Sequence, residues 1–160
     1  MSIAVFVSHA AADERLVTRF MRVLEATFVL PASGFIRCTT VPGYRLSSGS
    51  HTSTTLKGEL NESQVVLGIV TEASLKSNYV LFELGAGWAL NKWTVALLGP
   101  KLEYTSIPGP LRETHALKLE SAQDVHQLLD ELAEKLSLKR KPSPQSVAAI
   151  EELIAFVTHP

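Results

Sequence analysis

Short apolar runs alternate with amphipathic stretches along most of this chain. Ile3-Ala4-Val5-Phe6-Val7 is continuous, β-branched and too short for a helix, so it predicts a buried strand ending at Ser8-His9. Behind it Asp13 predicts an N-cap with Glu14 in the first turn, and Leu16, Val17, Phe20, Met21 and Leu24 recur at helical spacing. Arg15, Arg19 and Arg22 fall on the other side and predict a solvated helix back. Residues 35–39 predict a weaker strand. Residues 41–50 contain Pro42, Gly43, Gly49 and Ser47, Ser48 and Ser50, and predict a loop. That loop exceeds the usual βα connection of about two to six residues, and surplus loop length is where binding function sits.

Residues 55–62 predict a short helix, and Val65-Val66-Leu67-Gly68-Ile69-Val70 is the most strand-like run of all. Residues 74–90 predict one helix with Val80, Leu84 and Trp88 in register. Thr94-Val95-Ala96-Leu97-Leu98 predicts another buried strand, closed by Gly99-Pro100. Residues 116–120 alternate as a half-exposed edge strand does. Ser121 and Asp124 resemble a capping box ahead of a helix carrying Val125, Leu128, Leu129, Leu132 and Leu136. The order predicts an α/β fold, a flavodoxin-like five-stranded parallel sheet with helices on both faces. Ligands of such sheets bind beyond the carboxyl ends of the strands, here Ser8-His9, Thr39-Thr40, Thr71-Glu72 and Gly99-Lys101.

Residues 139–144 break the pattern. The predicted division is a domain over 1–138 and a tail over 139–160, made of a basic, proline-containing linker and an amphipathic helix. Ser143 is the expected cap of that helix and Pro144 its first position. Val147, Ile150, Leu153, Ile154 and Val157 give it an apolar face. Three readings stay open: it folds back on the domain, pairs with another subunit, or leads into a further domain.

Composition narrows the function. A chain of 160 residues suits one domain, and 46% hydrophobic against 19% charged residues excludes a disordered chain. Fifteen basic and sixteen acidic residues argue against a nucleic-acid binder, which needs a basic face. A lone cysteine, Cys38, excludes an internal disulfide and a cysteine zinc cluster. Five histidines without HxxxH or HExxH spacing predict no metal site. No apolar run approaches the roughly 20 residues of a membrane span, and no secretory pattern opens the chain, so the expected place is the cytoplasm.

Walker A, GxSxG and GxGxxG patterns are absent from the sequence. Gly85-Ala86-Gly87 lies inside a predicted helix and is assigned to close packing, as are Trp88 and Trp93. Glu83 stands out as the one charge in the twelve residues from Tyr79 to Leu90. Burial there raises its pKa, whereas a nearby helix start favours the ionised form. The bland alternative is a glutamate on an exposed strip, reaching water.

Three segments resemble TIR (Toll/interleukin-1 receptor) domains. Ile3 through Asp13 is similar to that family's first box, an apolar strand ending in Ser-His/Tyr before an acidic helix start. The segment from Arg37 to Ser50, with Pro42-Gly43 inside, resembles the loop after its second strand. Ser77-Asn78-Tyr79-Val80-Leu81-Phe82-Glu83-Leu84 resembles its Ser-x-Trp-Cys-x-x-Glu-Leu motif, with Tyr79 in place of Trp and Val80 in place of Cys. The resemblance spans about residues 1–137. Many animal members are adaptors that only assemble, while many bacterial and plant members and one animal axon-degeneration enzyme cleave NAD+ at the nicotinamide–ribose bond. The resemblance places the catalytic glutamate at Glu83 and implies NAD+ as substrate, with no cofactor or metal. It implies contacts from Ser8 and His9 to phosphate or ribose, charge and stacking from Arg37, Tyr44 and Arg45, and further contacts from Thr39, Leu46 and Tyr79. For His9, Arg37 and Tyr79 local or packing roles stay open. The loop departs from the family in carrying no acidic residue between Pro31 and Leu56. The implied function is an NAD+ nucleosidase, a bacterial anti-phage effector or signal generator activated by self-association with other TIR domains and coupled to a fused or partner sensor domain. Nucleic acid and membrane are not expected partners. The alternatives are a non-enzymatic adaptor and a deoxyribosyltransferase-like enzyme, which needs a second acidic residue.

Overall fold

The structure is a computed structural model and describes residues 3–39, 41, 44, 52–109, 111–113, 115–141 and 144–160, without the side chains of 52 and 53. The apolar runs become strands β1 (Val5–Ser8), β3 (Ile36–Cys38), β4 (Val65–Val70), β5 (Trp93–Leu98) and β6 (His115–Lys118), with β2 (Phe28–Val29) and β7 (Lys139–Arg140) as short extra pieces. The helices are α1 (Glu14–Thr27), α2 (Thr52–Glu62), α3 (Glu72–Leu75), α4 (Asn78–Ala89), α5 (Ala122–Leu136) and α6 (Pro144–Thr158). The main sheet has five strands in the order β3-β1-β4-β5-β6, all parallel. This is the flavodoxin-like order, whose switch point lies between β1 and β4.

Strand alternation sorts the core into two layers. Val5, Val7, Val65, Leu67, Ile69, Val95 and Leu97 meet α1, α5 and α6 on one face. Phe6, Val66, Val70, Ala96 and Leu98 meet Val80 and Leu84 of α4 on the other. Two glycines let α4 approach. A Cβ on Gly68 would lie 2.2 Å from a Leu84 methyl, and one on Gly87 would lie 2.7 Å from the Thr94 hydroxyl. Gly87 thus packs as expected, whereas Gly85 faces open space.

Several expectations need correction. Residues 74–90 are not one helix: Thr71 and Ser74 form a capping box over α3, and Ser77 caps α4 through the Val80 N–H, so the chain restarts at Asn78. Asp13 makes no cap bond to α1; its carboxylate accepts from the Thr71 hydroxyl at 2.6 Å and ties the loop after β1 to the loop after β4. Ser121 caps α5, but Asp124 accepts from the Lys118 N–H at 2.8 Å instead of completing the box. Trp88, expected to pack, is 45% exposed, whereas Trp93 packs half-buried against the core as expected and carries the Lys135 ammonium over its ring at 4.9 Å. The arginines of α1 are not merely solvated: Arg19 stacks on Phe156 at 4.1 Å, and Arg22 reaches Glu152 at 3.2 Å.

Those contacts belong to α6, which folds back on α1. Ile150, Leu153 and Val157 join the same core as α1 and α5. Val147, expected on that apolar face, is exposed. Lys139 and Arg140, expected in a linker, pair antiparallel with Phe28 and Val29. The expected cap Ser143 lies outside the described residues.

Candidate functional site

The end of β1 and the second turn of α4 meet on the α4 face of the sheet. Ser8, last in β1 and 1% exposed, follows Phe6 on that face. Its hydroxyl donates to Glu83 Oε1 at 2.9 Å. Glu83 sits beside Leu84, which anchors α4 over Gly68. Its carboxyl is half-buried and its pKa is raised to about 7, by burial first and against the lowering effect of the Ser8 bond. Glu83 is the sixth residue of α4, beyond the first turn where a helix N-terminus holds an anion, so burial wins. The exposed-strip alternative does not describe this side chain. Among the described residues, no cation acts on Glu83. Among the described residues Thr27 Oγ1 is the only sealed side-chain polar atom lacking a partner, so the second oxygen of Glu83, Oε2, keeps access to solvent.

The other described candidates are held as follows. His9 points away from Ser8, with Nδ1 at 3.9 Å from the buried Cys38 sulfur. Burial lowers its pKa, against a hydrogen bond to Val7 and the nearby Asp13 and Glu14. Arg37 is a structural ion pair: Nε and Nη2 donate to both oxygens of Glu59 at 2.6 and 2.7 Å, while Nη1 donates to the Tyr44 carbonyl at 3.0 Å. Tyr44 packs against the α1 side of the core and its hydroxyl donates to Glu25, so its ring is on the face opposite Glu83. Burial and then Glu25 push its pKa well up. Thr39 is half-buried just past β3. Arg45 and Leu46 lie outside the described residues. Tyr79, one turn before Glu83, is 78% exposed and is therefore no core aromatic.

Sequence reasoning missed Phe82, also 78% exposed and next to Glu83. The signal was present: burying Val80, Leu84 and Gly87 turns positions 79 and 82 outward. Phe82 lines an apolar groove of about 500 Å³ with Asn78, Leu81, Gly85, Ala86 and Ala89. Glu59 and Glu25, which hold Arg37 and Tyr44, were also missed. On the α1–α6 side, the expected strand-end residues Thr71, Glu72 and Lys101 line a separate crevice with Asp13, Arg15 and Phe156. Among the described residues no cluster of His, Cys, Asp or Glu is arranged to hold a metal.

The TIR-domain family model matches residues 5–133. The chain belongs to the TIR-domain family. Among solved structures, the TIR domain of the Toll-related receptor TRR-2 from Hydra magnipapillata is similar, with a TM-score of 0.58 at 15% identity. The likeness covers 82% of this chain and 94% of that one, and at this identity it shows the fold. No curated protein matches the sequence significantly. TIR domains include NAD-cleaving enzymes and scaffold adaptors. No helix among the described residues is long and apolar enough to cross a membrane. The family match ends before β7 and α6, so this TIR domain carries a C-terminal ribbon and helix beyond the matched segment.

Proposed function

We propose that this TIR domain is an NAD+ nucleosidase in which Glu83 is the catalytic residue. The observation that carries the reading is a half-buried carboxylate, held at one oxygen by Ser8, open at the other, and without a cation partner among the described residues. Such a group is costly in its ionised form until a ligand brings positive charge. NAD+ brings it on the nicotinamide ring, and the ribose acquires more as the bond breaks.

One carboxylate suffices for this reaction. O-glycosidases need a second to protonate the leaving oxygen. Nicotinamide leaves from a cationic ring and takes the electron pair of the C1′–N bond, so it departs neutral without an acid. Ionised Glu83 then stabilises the oxocarbenium-like ribose. Water adds to C1′ and gives up a proton, yielding ADP-ribose; attack by an adenine nitrogen or ribose hydroxyl of the same molecule yields a cyclic isomer instead. The domain acts in this reading as a cytoplasmic bacterial immune effector or signal generator, activated when copies assemble and coupled to a sensor domain.

Mass spectrometry of products from NAD+ tests it, with wild type and Glu83→Gln, each in dilute solution and under crowding. The expected result is nicotinamide plus ADP-ribose or its cyclic isomer from wild type, more under crowding, and none from Glu83→Gln. Equal turnover by the variant removes Glu83 from the mechanism. A second reading, a non-enzymatic scaffold, is favoured by the exposed Tyr79 and Phe82 rings. Complete absence of NAD+ loss from clustered wild type selects it.

A further inference from the structure

The resemblance assigned Ser8 to the substrate, but the geometry gives it another task. Its side chain is almost wholly enclosed, at 1% exposure, at the end of a strand whose backbone is paired on both sides. A serine hydroxyl has one proton to donate. Here that proton goes to Glu83 Oε1, across 75 residues of sequence. We propose that Ser8 is the positioning residue of Glu83: it fixes Oε1 against the sheet and leaves Oε2 as the oxygen that meets the ligand. This deepens the nucleosidase reading and rests on it for its catalytic meaning.

Two consequences follow from the chemistry of a carboxyl group. Protonating Oε1 would turn the enclosed Ser8 hydroxyl from donor to acceptor and give up the bond seen here, whereas a proton on Oε2 keeps it. The acid form therefore carries its proton on Oε2, on the solvent side. The oxygen that faces the developing ribose cation is thus also the one that accepts the proton released when water adds to C1′. Ser8 sets the identity of that oxygen without touching the substrate.

The surroundings make the bond testable, because little else acts on the carboxyl. Among the described residues, the charged or titratable groups on or next to the elements packed against α4 include Lys57, Glu59 and Glu62 on α2, Glu72 and Lys76 at α3, Arg112 and Glu113 in the turn before β6, His9 after β1, and Tyr79 on α4 itself. None of them shifts Glu83; burial and Ser8 do. Removing the hydroxyl therefore leaves burial unopposed.

The test is a carboxyl-carbon NMR titration of Glu83 in wild type, Ser8→Ala and Ser8→Thr, with NAD+ turnover measured across the same pH range. In Ser8→Ala the Glu83 midpoint moves to higher pH by on the order of one unit. The acid limb of turnover moves with it, and kcat falls while KM stays. Ser8→Thr, which keeps the hydroxyl, retains the wild-type midpoint. An unmoved midpoint in folded Ser8→Ala overturns the proposal, as does a raised KM at constant kcat, which marks Ser8 as a substrate contact. If wild type consumes no NAD+ yet the midpoint moves in Ser8→Ala alone, the nucleosidase reading falls and the positioning bond stands. Should Ser8→Ala fail to fold, Ser8→Cys supplies the comparison, and a wild-type midpoint there overturns the proposal too.

Discussion

Truncating Leu153 to alanine asks whether α6 is part of the domain or an appendage to it. Leu153 is fully enclosed in the core that α6 shares with α1 and α5. The change deletes three carbon groups, worth about 0.8 kcal/mol each in transfer alone, and leaves a cavity between two helices. Leu→Ala changes at sealed sites cost roughly 2–5 kcal/mol. For a chain of this size each kcal/mol lowers Tm by about 2–4 °C, so a loss of roughly 7–14 °C is expected for a mid-range cost. Val147→Ala is the control, because that side chain is 54% exposed and its loss falls within about 0.5 kcal/mol. Urea and thermal unfolding followed by circular dichroism measure both. A single transition that shifts down for Leu153→Ala and stays for Val147→Ala supports one cooperative unit. An unshifted main transition, with early loss of one helix's signal, refutes it and restores a boundary near residue 138.

Two further outcomes concern the site and the helix above it. Glu83 has its pKa raised from 4.5 to about 7 in the folded chain, so the stability tied to its protonated form is complete below pH 4.5 and is lost as pH rises through 7. Glu83→Gln escapes that loss, and its stability relative to wild type should climb by about 3 kcal/mol between pH 4.5 and 8; a difference that stays flat over that range contradicts the burial argument. Gly68→Ala sets a Cβ 2.2 Å from a Leu84 methyl, and overpacking should cost about 1–3 kcal/mol in urea unfolding. Leu84→Ala should relieve that clash, so strict additivity in the double variant counts against the close approach of α4 to β4.

The sheet was legible because its strands are short, apolar and β-branched; β4 spans the predicted residues. Glu83 was legible as the one charge in an apolar stretch. What escaped was pairing over distance. Nothing local ties Ser8 to Glu83, or Lys139 and Arg140 to Phe28 and Val29. Periodicity gave α6 an apolar face but not the surface it covers. The pairing of Arg37 with Glu59 and of the Tyr44 hydroxyl with Glu25 was not legible either, because an ion pair and a hydroxyl anchor use the same side chains as a nucleotide site. The break between α3 and α4 was readable in principle from Thr71, Ser74 and Ser77, but the helical register of Val80 and Leu84 masked it.

The position of β4 also governs how the chain assembles as it is synthesised. Before residue 65 appears, β1 has only three residues of β3 to pair with, too little to hold a parallel ladder in water. Arrival of β4 supplies a partner for the full length of β1, and its free edge then receives β5. Until residue 70 is made, the edge of β1 that β4 covers therefore stays unpaired and open to wrong partners.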